Sequence, residues 1–154
     1  MTENTITSKN VLIAGGAKNL GGLISRDLAE QGARAIAVHY NSESTRQAAE
    51  ETASAIEQAG ATAHLLQADL TTAAAVRKLF ADAKTAMGSI DIAINTTGMV
   101  IKKPLSEITE EDYDTIFAIN SKTALFFIQQ SGEHLADRGK LLTVVTSLLS
   151  AYTG

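Results

Sequence analysis

Apolar residues in this chain follow two rhythms, short unbroken runs and stripes spaced three and four apart, which alternate along its length. The short runs, at 10–14, 35–38, 61–66, 90–95 and 140–146, have the character of strands buried on both faces of a parallel sheet. The stripes between them predict helices. The first covers 19–31, gathers Leu20, Leu23, Ile24 and Leu28 on one face, and is stopped by Gly32. After a turn at 41–43, a second covers 44–58 and ends at Gly60. A third is capped by Thr71 or Thr72, turns Val76, Leu79, Phe80 and Ala83 inward, and runs through Met87 to Gly88. The longest opens at Thr109, with Glu110, Glu111 and Asp112 in the first turn, where the helix dipole favours carboxylates. Its apolar residues, Ile116 through Ile128, cover more than one face, which predicts a second buried surface and hence a partner.

Five strands joined by helical crossovers predict an α/β fold: one doubly wound parallel sheet in three layers, α/β/α, with right-handed crossovers. Ligands in such a sheet sit at the carboxyl ends of the strands. A chain of 154 residues is expected to form one domain over 1–154.

Charge and composition remove several functional classes. The net charge is −4 and the 13 basic residues are scattered, so no cluster exists to neutralise nucleic-acid phosphates. No apolar run is long enough to cross a bilayer, and residues 1–10 lack the apolar segment of a signal peptide. The absence of cysteine rules out disulfide and thiolate chemistry and suits a reducing compartment, so a cytoplasmic location is expected. His39, His64 and His134 follow no ligand spacing, so no metal is expected and each reads as an ordinary polar histidine.

Chemistry is suggested first by the stretch from Val11 to Ile24, an apolar run that breaks into Gly15-Gly16, reaches Gly21-Gly22, and resumes as a helix. A glycine-rich turn feeding a helix lets backbone N–H groups and the positive end of the dipole meet a phosphate. Close packing of a strand on a helix also calls for glycines, and the turn alone does not separate the two readings. Gly16 and Gly21 have the spacing of a P-loop, but Gly22-Leu23 follows instead of lysine and a hydroxyl, which disfavours kinase or GTPase chemistry. The G-x-G-x-x-G fingerprint also fails.

The stretch Ala14-Gly15-Gly16-Ala17-Lys18-Asn19-Leu20-Gly21 instead resembles the T-G-x-x-x-G-x-G pattern of the short-chain dehydrogenase/reductase family. Asn19 stands at the middle glycine, a position asparagine fills cheaply because it enters left-handed geometry. Ala14 replaces a threonine and removes a hydroxyl that ties the turn. Further points of resemblance are Asp69-Leu70 after the third strand, Asn95-Thr96-Thr97-Gly98 in place of N-N-A-G, Asn120 in the long helix, and Ser147 after the fifth strand. The resemblance spans essentially the whole chain.

It implies a Rossmann sheet lacking its C-terminal strands, and a nicotinamide cofactor held by Gly15, Ala17, Lys18, Asn19, Leu20 and Gly21 in the turn. Tyr40, Asn41, Ser42, Asp69, Leu70, Asn95 and Gly98 are the remaining implied contacts. An NAD-binding fold usually carries a carboxylate at the end of its second strand. Here His39-Tyr40-Asn41-Ser42 carries none, and Lys18, Asn41 and Ser42 can donate to a 2′-phosphate, so NADP(H) is expected over NAD(H).

Ser147 and Asn120 take the family's catalytic positions, the serine hydrogen-bonding a substrate carbonyl and the asparagine holding a water in a proton relay. Taken without the motif, Asn120 reads as a satisfied core amide. The family's Y-x-x-x-K pair has no counterpart in the sequence: Tyr152 is too close to Ser147, and no lysine follows it. The expectation is that a parent protein continues past Gly154, that the segment alone lacks the proton donor and is inactive, and that its fifth strand is an open edge that leaves it unstable by itself. Two functions follow. One is a hydride transfer between NADP(H) and a small-molecule carbonyl or alcohol, in a homo-oligomeric dimer or tetramer; the other is a non-catalytic NADP(H)-binding module or partner subunit. Residues 100–105, with Lys102 and Lys103, are read as one wall of a substrate pocket or as a solvated basic pair.

Overall fold

The computed structural model describes residues 5–145. Five parallel strands form one sheet in the order β3-β2-β1-β4-β5, with β1 Asn10–Ala14, β2 Ala35–Tyr40, β3 Thr62–Gln67, β4 Ile90–Asn95 and β5 Leu135–Thr143. The helices are α1 Asn19–Glu30, α2 Arg46–Gln58, α3 Ala73–Met87, α4 Glu110–Phe117 and α5 Thr123–His134. Strand alternation sorts β1 into two cores. Val11 and Ile13 pack with Leu28, Ala49 and Ile56 on the α1–α2 side, and Leu12 and Ala14 pack with Leu79, Phe80 and Phe127 on the α3–α5 side. Every residue of β1 and β2 is buried, as the unbroken apolar runs require.

Local signals act as their chemistry dictates. The Thr72 hydroxyl accepts from the Ala75 N–H at 3.2 Å and caps α3, and Val76, Leu79, Phe80 and Ala83 are its buried face. At α4, Thr109 accepts from the Asp112 N–H while Asp112 accepts from the Thr109 N–H, a reciprocal capping box. Gly32, Gly60 and Gly88 follow their helices with positive φ.

Three expectations need correction. The buried face of α1 is Gly21, Gly22, Ser25, Leu28 and Ala29, whereas Leu20 and Leu23 are exposed. The glycines let the helix backbone sit directly on the sheet, which rotates the packed face about one position away from the leucine stripe. The long helix is not continuous: residues Ala118–Lys122 form a π turn between α4 and α5. No residue of α4 is buried, whereas α5 buries Thr123, Phe127, Gln130 and Ser131. Finally, β5 begins at Leu135, paired with Ile90, before an irregular stretch with Arg138 at φ +64° restores the register at Lys140 opposite Ile92. Residues 140–143 pair as expected, and Thr146 lies outside the described residues.

The N-terminal ends of the strands are closed by Asn10. Its buried side chain donates to the Met87 and Ser89 carbonyls at 3.0 and 3.2 Å and accepts from Arg34 Nε, while its N–H donates to Asp91 at 2.9 Å. At the opposite ends of β1, β2 and β4 a cavity opens.

Candidate functional site

At the end of β1 the chain enters Gly15 at φ +76°, turns through 16–18, and starts α1 at Asn19 with φ +52°. Asparagine thus occupies the left-handed position that its sequence place implied. A β-branched residue there resists this geometry by about 1–2 kcal/mol. Asn19→Val is therefore expected to weaken binding of the ligand proposed below by roughly tenfold, and Asn19→Gly to preserve it, in an equilibrium titration. Equal affinity for the valine variant would mean that the turn is not part of the site.

Side chains from around the sheet fix the turn's backbone. From α2, the Thr52 hydroxyl donates to the Ala17 carbonyl at 2.8 Å, and within α1 the Ser25 hydroxyl lies 2.8 Å from the Gly21 carbonyl and 3.1 Å from that of Gly16. The hydroxyl that Ala14 lacks is supplied across the sheet, where Thr96 donates to the Ala14 carbonyl through both Oγ1 at 2.8 Å and its N–H at 3.0 Å. His39 completes the set: its Nδ1 accepts from the Gly15 N–H at 3.0 Å, and its Nε2 lies 2.8 Å from the Ala68 carbonyl. This corrects the reading of His39 as an ordinary polar histidine, since it is buried at 3% exposure and joins three strand ends. Burial is the main cause that holds its pKa below the usual 6.5, against smaller raising effects from the Ala68 hydrogen bond and the Asp69 charge.

The cavity, about 580 Å³, is of a size that holds a small organic ligand. Its walls include all six turn positions singled out in the sequence, Gly15, Ala17, Lys18, Asn19, Leu20 and Gly21. Tyr40, Asn41 and Ser42 follow from β2, Asp69 from the end of β3, and Gly98 from the loop after β4. Two expected contacts are not brought to the wall. Leu70 is 1% exposed in the α3–α5 core, with its carbonyl accepting from the Thr123 hydroxyl. Asn95 lies buried beneath the site, where its Oδ1 accepts from the Thr97 N–H and hydroxyl. Thr96 and Thr97 themselves line the cavity, together with Met99, Thr115 and Ile119, which nothing in the sequence marked.

Asn120 sits in the π turn and is exposed rather than a core amide. Its Oδ1 accepts from the Met99 N–H and its Nδ2 donates to the Met99 carbonyl, each at 2.9 Å. The side chain therefore holds the loop after β4 against the long helix. Of the expected substrate wall, Lys103 is committed to Asp112 at 2.7 Å, an ion pair that holds the carboxyl below its usual range, and Val100 and Leu105 are exposed. Ser147 and Tyr152 lie outside the described residues.

The electrostatics favour an anion at the turn. The N-terminus of α1 has no side-chain cap and no acid in its first turn, so its leading N–H groups are open to a ligand. Lys18 lies beside them, and Asp69 is the one carboxylate on the wall among the described residues. Among the described residues, no group of three metal-ligating side chains is present and no helix is long and apolar enough to cross a membrane.

The short chain dehydrogenase family model matches residues 9–152. The chain belongs to that family. Among solved structures, this chain is similar to a protein of Burkholderia cenocepacia described as a dehydrogenase and solved with bound NADP. The two share 64% identity at a TM-score of 0.92, over 97% of this chain and 56% of that one. A hydroxynaphthalene reductase-like protein of Metarhizium brunneum is 33% identical over 141 residues, which are 92% of this chain and 52% of the relative. Elsinochrome reductase 1 of Elsinoe fawcettii is 31% identical over 154 residues, all of this chain and 55% of the relative. The chain thus spans about half the length of the curated relatives it matches.

Proposed function

We propose that the protein carrying this chain is an oxidoreductase that transfers hydride between NADP(H) and a small-molecule carbonyl or alcohol, and that the cavity at the head of β1, β2 and β4 holds the cofactor. The observation that carries this reading is the uncapped start of α1 behind the Gly15–Gly21 turn, opening into that cavity with Lys18 at its rim. The residues present fit the group. A Cβ on Gly15 would meet Thr96 Oγ1 at 2.8 Å and one on Gly98 would meet Asn120 Oδ1 at 3.1 Å, so backbone alone can occupy these wall positions. Bound NADP(H) supplies or accepts the hydride. The α1 N–H groups would bind its pyrophosphate, Asp69 would serve the adenine end, and Gly98 and Met99, on the loop that Asn120 holds, would line the rest of the site. Ser147 is assigned the hydrogen bond to the substrate oxygen, where hydride arrival at carbon leaves an alkoxide to be stabilised.

The preference for NADP(H) is argued from charge. Tyr40, Asn41 and Ser42 present no carboxylate to repel a 2′-phosphate, and Glu43 just beyond is paired with Arg46 at 3.6 Å. The NADP bound to the Burkholderia protein supports the same choice. In a fluorescence titration of the intact protein, NADPH is expected to bind more tightly than NADH. Lys18→Ala is expected to cost NADPH about tenfold while leaving NADH nearly unchanged, the scale of one lost charge-assisted hydrogen bond at an exposed site. NADH binding as tightly as NADPH would overturn the preference.

The cytoplasm is proposed as its location, in keeping with a chain that has no cysteine. The intact protein is also proposed to be a homo-oligomer, because Tyr113, Phe117, Leu125 and Ile128 are all exposed along α4 and α5, with the Tyr113 and Phe117 rings stacked at 4.3 Å. A monomeric mass by light scattering would refute it.

A further inference from the structure

The Gly15 N–H can only donate a hydrogen bond and the Ala68 carbonyl can only accept one. His39 meets both, at 3.0 Å through Nδ1 and 2.8 Å through Nε2. A single protonation state satisfies the pair: the neutral ring with its proton on Nε2. An imidazolium would turn an Nδ1–H toward the Gly15 N–H, setting donor against donor in a buried place. We propose that His39 is a positioning residue for the cofactor turn, clamping Gly15 to the end of β3 while the ring is neutral and releasing it on protonation, so that cofactor affinity falls in mild acid.

This inference rests on the cavity being the cofactor site, and it adds a control on that site. His39 is the hub between the first residue of the turn and the residue before Asp69, so one ring sets the spacing of the two walls between which a dinucleotide would lie. The ionisable side chains sharing its cavity are Lys18 at the head of α1, Tyr40 on β2 and Asp69 after β3, and α4 contributes Thr115, which does not ionise. Asp69 favours the charged ring but burial outweighs it, so the release lies below the usual histidine value of 6.5. The clamp is intact above that value, and cofactor affinity declines as the pH falls beneath it.

The test compares NADPH dissociation constants for the intact wild-type protein and His39→Asn. Asparagine keeps an acceptor at the place of Nδ1 and does not titrate. Protonation of the 2′-phosphate affects both proteins alike and cancels in their ratio. Between about pH 8 and about pH 5.5, wild-type affinity is expected to fall by roughly fivefold more than that of the variant. A ratio constant across this range would overturn the proposal. Should His39→Asn fail to fold, the wild type answers through ¹⁵N NMR of the ring. The expected pattern is a bare Nδ1 and a protonated Nε2 near neutrality, with the His39 pKa lowered on adding NADPH because protonation and binding oppose each other. The phosphates' own charge would push that pKa upward, so a downward shift isolates the clamp. An Nδ1–H tautomer, or an upward shift, would overturn it. A wild type that shows the expected tautomer but binds no NADPH at any pH would instead defeat the cofactor reading, and with it the role of the clamp in binding.

Discussion

Gly21→Ala is expected to lower NADPH affinity by about 100-fold, the scale of a tightly overpacked site. A Cβ at position 21 would overlap the Gly15 carbonyl oxygen and would lie 2.7 Å from Thr96 Oγ1. Neither neighbour can yield. Gly15 is held by its left-handed φ and by His39, and the Thr96 hydroxyl is held to the Ala14 carbonyl at 2.8 Å. The first turn of α1 must therefore back away from the β1 end, carrying with it the N–H groups assigned to the pyrophosphate. Gly132 in α5 is the control, because a Cβ there meets nothing within 4 Å. Gly132→Ala is expected to leave affinity unchanged. An equilibrium titration of both variants decides the matter, and full affinity in Gly21→Ala would remove the turn from the site.

Phe127→Ala is expected to destabilise the intact protein by about 3–5 kcal/mol. Phe127 is fully buried and meets Phe80 edge to face, with ring centroids 4.8 Å apart, so it couples α5 to α3 as well as filling the core beneath β4. Truncation leaves a cavity bounded by a sheet and a helix face that cannot close on it. The midpoint of urea unfolding reads the effect, and a loss under about 1 kcal/mol would show that α5 is not integral to the core.

How much of this was legible in the sequence depended on how local the cause was. The bounds of β1 and β4 and the inward face of α3 follow from apolar periodicity alone, and Asn19 declared its backbone because few residues take φ +52° cheaply. The buried face of α1 was misread because periodicity weighs leucines, whereas close approach to a sheet selects glycines. The wide apolar surface of the long helix was a phase break: the π turn at Ala118–Lys122 shifts the stripe of α5 relative to α4, so one helix with two faces was in fact two helices, of which α5 alone buries a face. In the site, the turn and the β2 end were readable from residue type. The tethering roles of His39, Thr96 and Asn120 were not, because each acts on backbone groups that are 21 to 82 residues away in sequence, where no spacing rule reaches.

The Asn10 knot bears on how such a chain can absorb substitutions. It fastens Met87, Ser89, Arg34 and Asp91 at the end of the sheet remote from the cavity. Substitutions at two distant ends of a strand add nearly independently. Stability at the foot of the sheet and ligand choice at its head therefore rest on separate sets of residues, and a substitution in one set leaves the other nearly unchanged.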